Sequence, residues 1–370
     1  MKKNKIKKIV LGMSGGVDSS VCAYLLKKQG YRVIGLFMQN WDSMLNNDIL
    51  GHKANEDKEC NAYKDFNDAK SVGEKLGIEV YKVDFIKKYW DDVFKYLIRE
   101  YKQGRTPNPD VLCNKYIKFD AFINYAKQKF NCDNIAMGHY ADTKIMNGKK
   151  YLTLSKDEDK DQTYFLCWLN QNQLNKCTFP LGNLTKIQVR DIAKKVGLNT
   201  FNKKESTGIC FIGERNFKDF LKNYIKPKSG NIIDIVPTKP IGKHDGIMYY
   251  TIGQNKNLNL GGNNTKYYVC KKDVKKNILY VVNEKNKSKY LVSTKCELEE
   301  FNWINNAIPE NKNILIRFRH RQKLIKGKFE IKNKKIFLFY TPTLSVANGQ
   351  FGVLYQNNVC LGGGIIKTTN

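Results

Sequence analysis

Ser14-Gly15-Gly16-Val17-Asp18-Ser19-Ser20 follows the apolar run Ile9-Val10-Leu11-Gly12-Met13 and precedes Val21-Cys22-Ala23-Tyr24-Leu25-Leu26. The first run reads as a buried parallel strand over 6–13 and the second as a helix over 19–29, so the Gly/Ser turn lies at a strand-to-helix junction. The first N–H groups of a helix have no partner within it and carry a partial positive charge, which makes this turn a place for phosphate. Gly15 and Gly16 let backbone approach an anion, and the Ser14, Ser19 and Ser20 hydroxyls add donors. Asp18 needs its own account. A carboxylate beside a phosphate repels it unless a divalent cation, Mg²⁺ first, lies between them or the Asp caps backbone N–H groups. No Lys follows the glycines, so this is neither a G-x-x-x-x-G-K-[ST] loop nor G-x-G-x-x-G.

Outward from the turn, strands are expected over 32–37, 79–83 and 134–138, and helices over 62–76, 86–101 and 115–130. Alternating β and α elements predict a doubly wound parallel sheet with its ligand at the carboxyl ends of the strands. The polar segment 39–61 is too long for an ordinary connection and reads as an active-site loop or an insertion. Residues 142–154 read as a hairpin turning at Asn147-Gly148, and helical stretches are expected over 162–169, 186–196 and 216–224. Beyond about residue 229, short β-like runs over 247–252, 267–270, 278–282, 314–318, 336–340 and 351–355 are separated by Gly/Asn/Lys turns. The expected domains are therefore 1–215 (α/β, nucleotide-binding), 216–285 (small, mostly β) and 286–370 (a C-terminal β-barrel).

The chain has 64 Lys and Arg against 35 Asp and Glu, a net charge of +29, a field that draws polyanions with strong salt dependence. Lys and Asn recur along the whole length as a general bias would produce, so the charge favours nucleic acid without establishing it. No apolar run reaches membrane-spanning length and the N-terminus leads straight into the first strand, so a soluble, cytoplasmic protein with no membrane contact is expected. Ten cysteines are scattered without a C-x-x-C pair, which argues against a zinc site or a disulfide scaffold and for mostly buried packing roles.

Two further stretches stand out. Gly104-Arg105-Thr106-Pro107-Asn108-Pro109-Asp110-Val111-Leu112-Cys113-Asn114 carries two prolines, expected to prevent a helix and hold Asn108, Asp110 and Cys113 in a stiff loop. Glu205-Ser206-Thr207-Gly208-Ile209-Cys210-Phe211-Ile212-Gly213 places a second cysteine after a Gly-containing turn. From the residues alone, each cysteine is either packing or reactive.

The turn at 14–19 resembles the SGGxDS pyrophosphate loop of the ATP pyrophosphatase superfamily. Together with Thr106–Phe119 (TPNPDVLCNKYIKF), Gly138-His139-Tyr140-Ala141, Lys160-Asp161-Gln162-Thr163-Tyr164-Phe165-Leu166 and Glu205–Gly213, in that order, the chain is similar to tRNA-specific 2-thiouridylases of the MnmA type over nearly its full length. The resemblance implies an adenine-nucleotide α-hydrolase-like N-terminal fold and sulfur transfer to carbon 2 of the wobble uridine in tRNAs for lysine, glutamate and glutamine. It implies that ATP first adenylates the uridine oxygen and that a persulfide then displaces AMP. By motif, Cys210 would carry the persulfide, Cys113 would be the thiol that releases the sulfur and forms a disulfide with Cys210, and Asp110 would be the general acid/base. Gly12, Met13, Ser14, Gly15, Gly16, Val17, Asp18, Ser19, Met38 and Gly138 fall at ATP positions. Asn108, Pro109 and Asp110 fall at the target base, and His139, Lys160, Asp161, Gln162, Arg319, His320 and Gln350 at tRNA.

Arg317-Phe318-Arg319-His320-Arg321 reads as a strand with alternate basic side chains on one face, suited to phosphate. Two places depart from the family pattern: Asn255 and Asn257 stand where Arg and Gly are common, and Ala347-Asn348-Gly349-Gln350 lacks the usual Pro before Gly. A persulfide donor, such as a cysteine desulfurase or a sulfur relay protein, is an expected partner. Rival readings are a lysidine or amidotransferase-type synthetase, an iron–sulfur cluster held by Asp110, Cys113 and Cys210, and a non-catalytic RNA-binding protein with a relic nucleotide site.

Overall fold

A computed structural model describes residues 7–50, 61–204, 212, 216–260 and 265–370. Seven strands lie in the first half of the chain: β1 (Lys8–Gly12), β2 (Arg32–Gln39), β3 (Val80–Asp84), β4 (Ile135–Ala136), β5 (Asp142–Met146), β6 (Lys149–Thr153) and β7 (Cys177–Thr178). Five of these form a parallel sheet in the order β3-β2-β1-β4-β7. β1 is flanked by β2 on one side and β4 on the other, so the winding reverses there. Such sheets take their ligands in the crevice beyond the strand ends at that point.

Successive side chains along β1 and β2 go to opposite faces. Val10, Ile34, Leu36 and Met38 enter a core shared with the helices over 86–102 and 109–130, through Val93, Leu97, Val111, Ile117 and Phe122. Ile9, Leu11, Met13, Val33 and Phe37 enter another, shared with α1 (Val17–Lys28), α2 (Asn61–Leu76) and helix Lys186–Val196. Burial on both faces explains why these strands read as unbroken apolar runs.

The helix expected from residue 115 instead begins at Pro109, with a π-helical stretch at Cys113–Ala121 before it continues to Phe130. The two prolines do not exclude a helix. Pro109 occupies the first helical position, where no N–H is needed, and the Asn108 side chain caps the end by accepting from the Asp110 N–H at 3.2 Å. Cys113 and Asp110 therefore sit one turn apart on a helix, not in a loop. The stretch expected as a helix over 162–169 is a 3-10 turn, Thr163–Leu166. The run 247–252 is likewise not a strand: Ile247–Tyr249 is a 3-10 turn, apolar because Met248, Tyr249 and Tyr250 are buried.

Of the polar segment, residues 40–50 form a packed loop. Trp41 is buried among Tyr89, Trp90, Phe94 and Phe220, its indole N–H donating to Asp48 at 3.1 Å. The central sheet runs β10-β11-β8-β9, built from β8 (Gly230–Asp234), β9 (Lys239–His244), β10 (Tyr267–Asp273) and β11 (Ile278–Asn283). β12 (Val292–Trp303), β13 (Asn313–Arg317), β14 (Ile325–Lys332), β15 (Lys335–Leu344), β16 (Phe351–Gln356) and β17 (Val359–Thr369) follow. Because β12 pairs with both β15 and β17, these last strands close into a barrel with no free edge of its own. The hairpin β5–β6 docks onto β17 through Thr153 and Val359, joining the first domain to the barrel. Among the described residues, no helix is long and apolar enough to cross a membrane.

Candidate active site

The turn at 12–19 leaves β1 at the crevice. Gly15 has φ +73°, and a Cβ there would lie 2.0 Å from the carbonyl oxygen of Asp65, so the loop is wedged against α2 as only glycine allows. The Ser19 hydroxyl donates to the Gly16 carbonyl at 3.1 Å and accepts from the Ser14 N–H at 3.2 Å, while the Ser20 hydroxyl donates to Gly16 at 2.8 Å. These bonds curl the backbone around the helix start. Gly138, just past β4, packs so closely that a Cβ would be 3.2 Å from the Ser19 nitrogen. Met38 is buried at the carboxyl end of β2, with its methyl group near Gly12. The ten residues placed at ATP by sequence therefore converge at the carboxyl ends of β1, β2 and β4.

Asp18 is held by neither arrangement expected of it. Both its oxygens accept from the Lys186 ammonium, at 2.7 and 2.8 Å, and one also accepts from the Tyr140 hydroxyl at 2.9 Å. Lys186 has already compensated the charge that a metal was expected to balance, so a Mg²⁺ ligand role does not fit Asp18 as it stands here. Burial, and then Asp18, push the Tyr140 hydroxyl well above its ordinary pKa, which keeps it a donor. Sequence reasoning missed Lys186, although a signal existed: it opens a helix capped by Thr185, where a cation opposes the helix dipole. Lys203 was missed as well; its ammonium donates to the Gly15 carbonyl at 3.0 Å and to Asp65 at 2.7 Å.

The segment leading to Cys113 is gripped by the other two domains. The Thr106 N–H donates to the Asn348 carbonyl at 2.9 Å, and the Thr106 hydroxyl lies 3.3 Å from that of Thr251. The Gln350 amide donates to the carbonyls of Thr106 and Pro107 at 2.9 and 3.3 Å, and its oxygen accepts from Asn108 at 3.5 Å. Arg105 bridges Glu299 on β12 at 2.5 Å and buried Glu100 at 3.0 Å. Cys113 itself is buried. Cys210 lies outside the described residues, whereas Ile212, two positions on, is buried in the same core cluster as Cys113.

The chain matches the model described as tRNA methyl transferase HUP domain over residues 7–214, tRNA methyl transferase PRC-barrel domain over 218–283 and aminomethyltransferase beta-barrel domain over 293–366. It is 54% identical over 370 residues to the tRNA-specific 2-thiouridylase MnmA of Mycoplasma capricolum, covering 97% of this chain and 98% of the relative. The protein of the same name from Ureaplasma parvum serovar 3 is 53% identical over 368 residues, covering 98% and 95%. The chain belongs to the MnmA family of tRNA-specific 2-thiouridylases. As an MnmA family member it is an enzyme of the sulfurtransferase class.

The residues that the MnmA motifs place at tRNA divide by burial. Arg319 is exposed beside Thr106, Thr251 and Gln350, around a cleft of about 230 Å³ where all three domains meet. Asp161, by contrast, is a buried hub. It accepts from Arg317 at 2.8 Å, from the Thr163 hydroxyl at 2.5 Å and from the Ser155 N–H at 2.9 Å, while its carbonyl meets His320 at 3.1 Å. β13 ends at Arg317, which is buried, so the alternating basic face expected over 317–321 does not form. Lys160 is half-buried, and Gln162 pairs both ways with the Tyr140 backbone, at 2.8 and 2.9 Å. His139 is buried between Phe119 and Phe179, with its pKa driven well below the usual value by burial and then by Lys118.

Asn257 adopts φ +59°, a left-handed conformation that Asn tolerates best after Gly, which accounts for that departure from the family pattern. Burial raises the pKa of Cys22, Cys132, Cys167, Cys177, Cys270, Cys296 and Cys360. Among the described residues no group of three His, Cys, Asp or Glu side chains could hold a metal.

Proposed function

We propose that this chain converts the wobble uridine of tRNAs for lysine, glutamate and glutamine to 2-thiouridine, using ATP and a persulfide. ATP binds on the loop 12–19 with Met38 and Gly138, and Asn108, Pro109 and Asp110 meet the target base. The uridine O2 attacks the α-phosphorus, pyrophosphate leaves, and a poor leaving oxygen becomes an adenylate ester. The terminal sulfur of a persulfide on Cys210 then attacks C2 and AMP departs with the ester oxygen. Cys113 attacks the Cys210 sulfur, which releases the base-bound sulfur and leaves a Cys113–Cys210 disulfide for a thiol reductant to reopen. Asp110 moves the proton at the base. His139, Lys160, Asp161, Gln162, Arg319, His320 and Gln350 form or support the RNA surface, and a persulfide-carrying protein reloads Cys210.

The observation that carries this reading is the capped helix start, with Asp110 and Cys113 one turn apart and its lead-in held by Gln350 of the barrel. It supports a rigid acid and thiol beside an RNA-binding body. The test is mass spectrometry of wobble nucleosides from tRNA incubated with protein, ATP, Mg²⁺ and a sulfide source. Wild type should yield 2-thiouridine, while Cys210→Ser and Cys113→Ser should yield none yet still bind tRNA, whose affinity rests on phosphate contacts. Full thiolation by either variant would refute the assigned role.

A further inference from the structure

Lys203 belongs to no motif that the sequence marked. Its ammonium reaches the Gly15 carbonyl at 3.0 Å and Asp65 of α2 at 2.7 Å, and also binds Asp68. Its backbone is held in turn, since Arg190 donates to the carbonyls of Phe201 and Lys203 at 2.8 and 3.2 Å. Burial disfavours the charged ammonium, but the hydrogen bonds to Asp65 and Asp68 outweigh it and leave the pKa raised. With two carboxylates around it, this cation is committed to the protein and is not a phosphate ligand.

Its effect falls on one peptide. In a trans peptide the carbonyl and the following N–H point in opposite directions. Turning the Gly15 carbonyl toward Lys203 therefore turns the Gly16 N–H away from it, and among the described residues that N–H has only a long contact of 3.4 Å, to the Ser14 hydroxyl. Two successive glycines make this the least constrained peptide of the loop. Flipped, it would offer a carbonyl oxygen to an anion in place of a donor.

We infer that Lys203 is a positioning residue for the ATP step, fixing the Gly15–Gly16 peptide with its N–H toward the nucleotide's phosphates. The inference rests on the reading of 12–19 as the phosphate loop and deepens it.

The test is calorimetric binding of ATP, pyrophosphate and adenosine to wild type, Lys203→Met, Lys203→Arg and Ser19→Ala, each checked by thermal melting. Lys203→Met should weaken ATP and pyrophosphate about tenfold, the weight of one charge-assisted hydrogen bond, and leave adenosine unchanged. Lys203→Arg, which can still donate to the carbonyl, should recover most of the loss. Should Lys203→Met fail to fold, Lys203→Met combined with Asp65→Asn and Asp68→Asn, which leaves no unpaired carboxylate and still no donor to the Gly15 carbonyl, is measured in its place. Unchanged ATP affinity, or equal losses for ATP and adenosine, would overturn the inference. If Ser19→Ala also leaves ATP affinity intact, the phosphate-loop reading falls with it; if Ser19→Ala weakens ATP and the Lys203 variant does not, only the role of Lys203 falls.

Discussion

The loop at 12–19 and the segment before Cys113 are both held by hydrogen bonds, but they are held by different parts of the molecule. Among the described residues, Gly12–Ser19 is fixed within the first domain, by its own serines, by Lys186 and by Lys203. Thr106–Asn108 is fixed by the other two domains, through Thr251, Asn348 and Gln350. The geometry of the 12–19 loop therefore draws on no contact with the barrel among the described residues. The lead-in to the helix of Asp110 and Cys113 draws its contacts from the barrel and the central domain as well, so on the proposed function RNA seated on the barrel would act on that helix start.

One substitution made in both places probes this division. Gly15→Ala puts a Cβ 2.0 Å from the Asp65 carbonyl at φ +73°. Left-handed strain and overpacking together amount to about 3 kcal/mol, so ATP-dependent AMP release should fall about 100-fold. Transfer RNA affinity, measured by filter binding, should be unchanged; a parallel loss of RNA binding would mean that the loop supports more than the nucleotide.

Gly349→Ala is the matched change on the other side. A Cβ there would lie 2.9 Å from the Thr106 nitrogen and 3.0 Å from the Arg105 Cβ, at φ +90°. The contacts are looser than at Gly15, and the expected cost is about 1–2 kcal/mol, read as a roughly tenfold slower thiolation with ATP affinity intact. If ATP affinity falls too, the two regions are not independent and the comparison breaks.

The sequence exposed the strand–turn–helix at 8–28 because both its halves are long and apolar, and the order of βα units gave the parallel sheet. The start of the helix at Pro109 was hidden because two prolines read as a loop, whereas Asn108 and Pro109 together are a helix-opening pair. Lys186 and Lys203 were illegible for another reason. They act 168 and 188 residues from their partners in the loop, and in a chain with so many lysines the one local sign, the place of Lys186 at the start of a capped helix, does not say which partner it meets. The burial of Asp161 and Arg317 was hidden in the same way, since only the closed barrel brings them together.

The smallest effect concerns the residue between the two regions. His139 follows Gly138, which touches Ser19, and packs on Phe119 of the helix that carries Cys113. Its imidazole is buried, its Nδ1 has no hydrogen-bond partner among the described residues, and burial followed by Lys118 lowers its pKa well below 6.5. Unfolded, the same group titrates near its ordinary value, so below about pH 6.5 the unfolded chain binds a proton that the folded chain refuses. Stability is then complete above that pH and is lost as pH falls, by at most about 1.4 kcal/mol per pH unit for this one group. His320, lowered by burial and then by Arg321, adds in the same direction, more weakly because it is partly exposed. Melting temperature should therefore drop between pH 7.5 and 5.5, and His139→Phe, which fills the aromatic niche without a titrating group, should remove part of that drop. If the variant loses as much stability on acidification as wild type, the imidazole is not held neutral. A drop confined to His139 would tie nucleotide loop and cysteine helix to a shared support that weakens in acid, and this is the one place where the two regions are expected to fail together.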